Sequence, residues 1–338
     1  MTGWLIVNEF LNTDKFKELQ ELFLMAADNK GIDLKVYTNA EFMVDCGSNM
    51  VYSKWFNYEV PDFIIFYDKD IALCKAFEDM GIPVFNRSEA IEICDSKLRT
   101  AEYVREFNMG SGSDGGEEDD EYDSLAEEYE DTAYDDDEYD AIRYIRMPRT
   151  FKVPFTYENI GISTDSNFEF IDFVETQIGY PMVIKECYSS FGMGVHLANN
   201  REEAVRLISK FGNKECLIQE YIASAAGHDI RLQMVGDVCV AAMMRTNDKD
   251  FRANITNGGV MSEYEPTEAD LRVAGYVMEA LSLDFAGIDL MHDDCSEPLF
   301  CEANSNAHFK NLYDLTGINA AEMMLDYIIY NLQDEDEE

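Results

Sequence analysis

Near the end of this 338-residue chain, Asp289 sits in the apolar run AGIDLM, and Glu302 and Asn304 lie two apart in LFCEAN. Alternate residues of a strand share a face, so Glu302 and Asn304 project together. Asp289 is read as ending one strand, and a neighbouring strand can then bring its carboxylate beside them. Three hard oxygen donors suit Mg²⁺, which takes one or two carboxylates together with substrate phosphates. A solvated strand edge explains Asp293 and Asp294, but not carboxylates set inside apolar strands. Upstream, Lys185 occupies the apolar run YPMVIKE, where burying an ammonium without an anion is costly. Four residues on, SSFGMGV supplies Gly192 and Gly194 in a turn whose bare backbone can approach phosphate oxygens. Alone, two glycines so spaced carry little information. Joined to the buried lysine, they read as a hairpin loop covering a phosphate. Arg231, Arg245 and Arg252 form a third group, and in so acidic a chain they suit an anionic substrate or a developing phosphate charge.

The elements that position these groups follow from periodicity. Trp4 to Val7 reads as a buried strand, and Asn12/Thr13 cap an amphipathic helix closed by Gly31. Asp33 to Tyr37 is a second strand. After a polar loop come the strand FIIFY, the helix DIALCKAFEDMG, the strand PVFN and the helix pair SEAIEIC and DSKLRTAEYVREF. Such alternation predicts an α/β fold with a parallel sheet covered on both faces. Further on, YPMVIKEC, VHLANN and CLIQEYI read as strands around the helix REEAVRLISKFG. HDIRLQMVGDVCVAAMMRT reads as a hairpin turning at Gly236/Asp237. A long helix, TEADLRVAGYVMEALSL, precedes the strands FAGIDLM and PLFCEANS, and NAAEMMLDYIIYNLQ closes the chain as a helix.

In order, the phrases DSKLRT, YPMVIKECYSSFGMGV, LIQEYI, GHDIR, VGDVCVAAMMR, DFRANITNGG, FAGIDLM and CEANSN resemble the ATP-grasp superfamily, and within it the RimK-type carboxylate–amine ligases. The resemblance covers nearly all of residues 90–330; the first ninety match only in general pattern. It implies an ATP-grasp fold with an N-terminal α/β domain over 1–96 and a linking helix over 97–108; composition marks an acidic insert over 109–141, which has no counterpart in the family pattern. A central α+β lid follows over 142–223, then a C-terminal domain over 224–333 and an acidic tail over 334–338. Carried over by position, the phosphate-binding lysines fall on Lys97 and Lys185, with Ser190, Gly192 and Gly194 in the covering loop. The adenine strand falls on Gln219, Glu220, Tyr221 and Ile222, and an acidic residue near the nucleoside on Asp229. Arg231 and Arg252, with Ala253 and Asn254, match positions lining the phosphates and the carboxyl substrate. Asp289, Glu302 and Asn304 match the metal ligands. The implied reaction uses ATP with Mg²⁺, for which Mn²⁺ is a possible substitute. The γ-phosphate passes to a carboxylate, and an amine of an amino acid, peptide or protein then attacks the acyl phosphate. A ligase linking peptide side chains and a non-catalytic ATP-binding regulator are the alternatives. Where some family members follow the asparagine ligand with a Ser-Pro-Gly turn, this chain reads SNAHFKN (Ser305 to Asn311), a loop expected to face the acceptor amine.

The formal charge of −42 is unevenly spread: 16 acidic residues and no basic ones lie between Asp114 and Asp140. That stretch has too few apolar groups to offset its ordering entropy and is expected to be disordered. It leaves after the helix carrying Lys97 and returns before the central domain, which places its ends near the nucleotide cleft if the family fold holds. The remaining body is also acidic, so nucleic acid and anionic membrane surfaces are disfavoured partners. Eight scattered cysteines without a C-x-x-C pair read as reduced, mostly buried thiols. With no secretory leader and no long apolar span, the cytoplasm is the expected location.

Overall fold

The computed structural model describes residues 1–11, 13–48, 50–53, 60–110, 143–155, 169–255 and 258–335. The first third of the chain folds as β1 (Thr2–Val7), α1 (Asp14–Asn29), β2 (Asp33–Thr38), β3 (Phe42–Asp45), β4 (Met50–Ser53), β5 (Phe63–Phe66), α2 (Ile71–Asp79), β6 (Val84–Phe85), α3 (Ser88–Asp95) and α4 (Lys97–Gly110). Strands β2-β1-β5-β6 pair in parallel in that order. Because neighbouring strand residues face opposite ways, the continuous apolar runs fill two cores. Leu5, Phe63 and Ile65 pack with Leu19, Leu22 and Phe23 of α1, whereas Trp4, Ile6, Ile64 and Phe66 pack with Leu73, Cys74 and Phe77 of α2. Such double-sided burial is why the runs do not alternate with polar residues. Asp70 caps α2 by accepting from Leu73 N at 3.2 Å. Thr13 stands at the α1 N-cap with no side-chain bond; Asn12 lies outside the described residues. The stretch read as a polar loop holds the β3–β4 hairpin, whose Phe42 and Val51 add to the second core.

The middle of the chain forms β7 (Thr150–Lys152), α5 (Glu169–Ile178), β8 (Met182–Glu186), β9 (Val195–Ala198), α6 (Arg201–Phe211) and β10 (Cys216–Glu220). Its antiparallel sheet has the order β7-β10-β8-β9. Ile171 and Val174 of α5 and Ala204, Ile208 and Phe211 of α6 pack against it. The rest comprises β11 (His228–Val235), β12 (Val238–Thr246), β13 (Val260–Glu263), α7 (Glu268–Ala280), β14 (Phe285–His292), β15 (Pro298–Asn304), α8 (Lys310–Thr316) and α9 (Ala320–Glu335). A second antiparallel sheet runs β13-β12-β11-β14-β15. Thr267 and Asp270 close a reciprocal capping box at the start of α7.

Helices α1 and α9 form the layer shared by the N-terminal sheet and the C-terminal sheet, with Ala321, Met324, Leu325 and Ile328 in one core with Phe63, Val235 and Met243. Asn86, fully buried, locks this junction. Its Nδ2 donates to Phe285 O at 2.8 Å and Ser305 O at 2.9 Å, and its Oδ1 accepts from Asp284 N at 2.7 Å and Phe285 N at 3.2 Å.

Of the acidic insert, only Met109 and Gly110 are described. Its flanks meet in a clasp: Asn108 Nδ2 donates to Ile145 O at 3.0 Å, and Ile145 N donates to Asn108 Oδ1 at 2.8 Å. Arg143 stacks over Phe107 and Tyr276 beside it, 5.1 and 5.2 Å from their ring centres. Lys97 opens α4 and the clasp at Asn108 sits in the helix's last turn, about 16 Å away at 1.5 Å per residue. The insert therefore does not root at the cleft, as its place in the sequence suggests; the length of α4 separates them. Cys74, Cys94, Cys187 and Cys216 are buried, whereas Cys46 and Cys295 are exposed, and all eight cysteines are free thiols. No helix among the described residues is long and apolar enough to cross a membrane.

Candidate active site

Between the two antiparallel sheets lies a cleft of about 820 Å³. Its walls include Lys97, Lys185, Gly192, the segment 219–222, Asp229, the segment 252–254, Asp289 and Glu302. The fold thus brings most of the sequence-selected residues together. Only Gln219 and Glu220 of the expected adenine strand belong to β10; the strand ends there, and Tyr221 and Ile222 continue as non-strand backbone. Ser190, Arg231 and Asn304 line a second cavity instead, of about 1360 Å³, which shares Gly192, Asn254 and Glu302 with the first. Gly194 lines neither. A side chain there would meet Ser189 Oγ at 2.5 Å and Ser189 Cβ at 2.6 Å, so this glycine lets the covering turn close on itself.

The first cleft has a cationic end. Lys185, on β8, is 8% exposed and has no ion-pair partner among the described residues, which suits a bound phosphate. Lys97 Nζ donates to Ser189 O at 2.8 Å and lies 3.4 Å from Glu302 Oε1. Arg252 Nη1 donates to Gly192 O at 2.7 Å and Val195 O at 3.2 Å, and its Nε and Nη2 pair with Asp250 at 3.0 and 2.7 Å. Of its five N–H groups, two pin the glycine turn and two hold Asp250, so one remains for a ligand.

Asp289 does not end a strand. It lies inside β14, opposite Glu302 of β15 and Arg231 of β11, just before an irregularity in the β14–β15 register. Arg231 Nε and Nη2 donate to its two oxygens at 2.6 and 2.7 Å, and Arg245 Nη2 adds a bond to Oδ2 at 2.9 Å. Arg245 also grips Asp229 at 2.5 and 2.6 Å. Burial alone would push the Asp289 carboxyl up, but the two arginines hold it below the usual carboxylate range. Asp229 is hydrogen-bonded by Arg245, yet burial and the nearby Asp289 carboxylate raise it. Arg245, itself 3% exposed, is the residue that the motif assignment passed over; its place in MMRT gave no sign that it would bridge two carboxylates.

This donor set fits a divalent cation. A carboxylate offers about four lone-pair sites, and the arginines fill three on Asp289, leaving one on Oδ1. Among the described residues, Glu302 has Lys97 as its one ion-pair partner. Asn304 Nδ2 is buried without a hydrogen-bond partner among the described residues. Since amide oxygen and nitrogen are interchangeable assignments, turning that amide directs an oxygen ligand to the same position.

The second cavity also takes Asn8, Lys15, Phe16, Asp68 and Lys69 from the N-terminal domain and Asn306, His308 and Asn311 from the SNAHFKN loop. Tyr67 hydroxyl donates to Ala307 O, and His308 Nε2 lies 2.8 Å from Lys15 O, so the loop is tied to the N-terminal sheet.

A family model described as a RimK-like ATP-grasp domain matches residues 144–328. The ribosomal protein bS6–L-glutamate ligase of Escherichia fergusonii is 33% identical over 192 residues, which are 56% of this chain and 63% of the ligase. An uncharacterised MG012 homologue of Mycoplasma pneumoniae is 25% identical over 243 residues, 72% of each chain. The crystal structure of a RimK domain ATP-grasp protein from Sphaerobacter thermophilus superposes with a TM-score of 0.64 at 16% identity, covering 97% of this chain and 99% of that one.

Proposed function

This chain belongs to the RimK-like ATP-grasp family, and from that premise we propose that it is an ATP-dependent carboxylate–amine ligase acting in the cytoplasm. The observation that carries the reading is the cleft in which Lys97, the pinned glycine turn, the carboxylates of Asp289 and Glu302, and Lys185, without an ion-pair partner among the described residues, converge. Residues 142–223 act as the lid and 224–333 as the metal-bearing domain.

ATP lies with its adenine along 219–222 and its phosphates at Lys97 and Lys185. Asp289, Glu302 and Asn304 would hold Mg²⁺, or Mn²⁺ in its place, which when bound neutralises charge on the transferring phosphoryl group. In the first step a substrate carboxylate oxygen bonds to the γ-phosphorus as the bond to the β,γ-bridging oxygen breaks, and ADP leaves. In the second, an amine nitrogen bonds to the acyl carbon while the carbon–oxygen bond to phosphate breaks; phosphate and one amine proton are released. Lys185 and Arg231 sit where negative charge gathers, so catalysis is mostly positioning and electrostatics. Asp289 and Arg231 orient one another through paired bonds. Arg252 holds the turn over the phosphates. Asp229, gripped by Arg245, orients the nucleoside end. The substrates are an amino acid and an amino acid, peptide or protein partner, as the glutamate ligase relative suggests.

Phosphate release from ATP and Mg²⁺ across pairs of amino acids and peptides, with mass spectrometry of the products, tests this. The expected result is release that requires both a carboxylate and an amine, with a product lighter by one water than their sum. ATP binding without release for any pair would favour a non-catalytic nucleotide sensor.

A further inference from the structure

The short stretch from Asn247 to Arg252 follows β12 and is built to one shape. Asn247, which is buried, accepts at Oδ1 from Lys249 N at 3.0 Å and Asp250 N at 3.2 Å, and its Nδ2 donates to Arg252 O at 3.1 Å. Gly227 lies against the stretch, donating to Phe251 O at 2.8 Å and accepting from Asn247 N at 2.8 Å. Its φ is +71°, and a side chain there would meet Asn247 O at 2.3 Å, so the approach requires glycine.

The stretch so fixed sets Asp250 against Arg252. Asp250 Oδ1 accepts from Arg252 N at 2.9 Å and Nε at 3.0 Å, and Oδ2 accepts from Nη2 at 2.7 Å. Paired bonds between two planar groups fix orientation as well as distance. These bonds hold the Asp250 carboxyl below the usual carboxylate range, so it stays ionised near neutral pH. Held in this plane, Arg252 delivers both Nη1 hydrogens to the lid, at the carbonyls of Gly192 and Val195. The covering turn has little apolar packing of its own, because Tyr188, Phe191 and Met193 are all exposed. On the other side, Phe251 meets the ring of Tyr221 edge-on at 6.3 Å, which joins the stretch to the expected adenine segment.

We propose that Asp250 is a positioning residue for the triphosphate: it holds the Arg252 guanidinium in the orientation that clamps the glycine turn and keeps the remaining Nη2 hydrogen for a phosphate oxygen. Asp250 lines neither cavity and acts only through Arg252. The assignment rests on the ATP reading of the cleft.

Two measurements on the full chain test it. Without nucleotide, chymotrypsin reports opening of the turn at the exposed Tyr188 and Phe191, with the cut sites mapped by mass spectrometry. With Mg²⁺, calorimetry compares a non-hydrolysable ATP analogue with AMP, which lacks the outer phosphates. Asp250→Asn places an amide N–H₂ opposite Arg252 Nη2. Cutting within the turn becomes roughly tenfold faster, since such cutting follows the population of the opened segment. The analogue weakens roughly tenfold, the low end for charge-assisted bonds because the pair is about a quarter exposed. AMP stays within about twofold, a selectivity that general damage to the cleft does not produce. In an Arg252→Met background the same substitution adds less than about twofold. Asp250→Ser, which retains an oxygen for Arg252 N but not the fork, replaces Asp250→Asn if that variant fails to fold. Unchanged cutting, faster cutting with unchanged analogue affinity, or a full further loss in the Arg252→Met background overturns the assignment. Failure of the analogue to bind the unaltered chain counts against the ATP reading instead, and the chymotrypsin comparison still decides whether Asp250 holds the clamp.

Discussion

Asp289→Ala and Glu302→Ala should behave differently, although both remove a carboxylate from the same proposed metal site. Glu302 has a side chain 33% exposed and a single ion-pair contact at 3.4 Å, so its loss leaves Lys97 hydrated and the fold nearly unchanged. Asp289 is 3% exposed and takes three charge-assisted bonds from two arginines. Removing it leaves Arg245 with Asp229 alone and Arg231 without a carboxylate. Truncating one partner of such a buried pair costs about 3–5 kcal/mol. For a chain of this size that lowers the melting temperature by roughly 10 °C. Thermal melts run beside Mg²⁺-dependent ATP turnover separate the two effects: Glu302→Ala loses turnover with a melting temperature within about 2 °C of wild type, whereas Asp289→Ala loses both. An Asp289→Ala protein as stable as wild type would show that the arginine–aspartate ladder does not hold these strands, and the reasoning would fall.

Lys185→Met should weaken ATP binding by about tenfold or more without loss of stability, because it replaces a buried ammonium that has no carboxylate partner among the described residues; calorimetry showing unchanged affinity would remove Lys185 from the phosphate site. Gly194→Ala forces Ser189 to move, so ATP affinity should drop while the melting temperature changes little; an unaltered affinity would mean that the turn does not cover the phosphates. Asp284 is pushed up to about 6 by burial. The unfolded chain then releases this proton at lower pH than the folded one, so stability declines as pH rises through roughly 4 to 6. Asp284→Asn, which retains an oxygen for the Tyr327 hydroxyl, should raise the melting temperature at pH 7.5 and not at pH 4; equal shifts at both would rule out the ionisation as the cause.

Much of the candidate site is legible because its residues interrupt apolar runs. Lys185 in MVIKE and Asp289 in AGIDLM are charges where burial is otherwise complete, and the two-residue step from Glu302 to Asn304 declares a shared strand face. The strand end misplaced at Asp289 reflects the same apolar context, since the run continues unbroken to Met291. What sequence could not supply is distance in space. Asp68 and His308, or Lys15 and Arg231, share a cavity only because α1 packs on α8 and α9, and no local pattern records that packing. Short elements were lost for another reason. The β3–β4 hairpin, β7 and β13 have strands of three or four residues with few buried positions, too few for a period of two to emerge.

The clasp between Asn108 and Ile145 brings the two flanks of the acidic stretch to one point on the folded body. Both its attachment points are fixed by the same pair of hydrogen bonds, so the folded body sees one anchored root whatever is strung between. For a flexible replacement sequence, each doubling of length adds only about 0.6 kcal/mol of closure entropy. The root also lies about two screening lengths from Lys97 along α4, with each length about 8 Å at physiological salt. This position is therefore a natural port of entry: a fluorescent protein, an affinity handle or a tether to a surface could be spliced there while ATP turnover proceeds at the far end of α4.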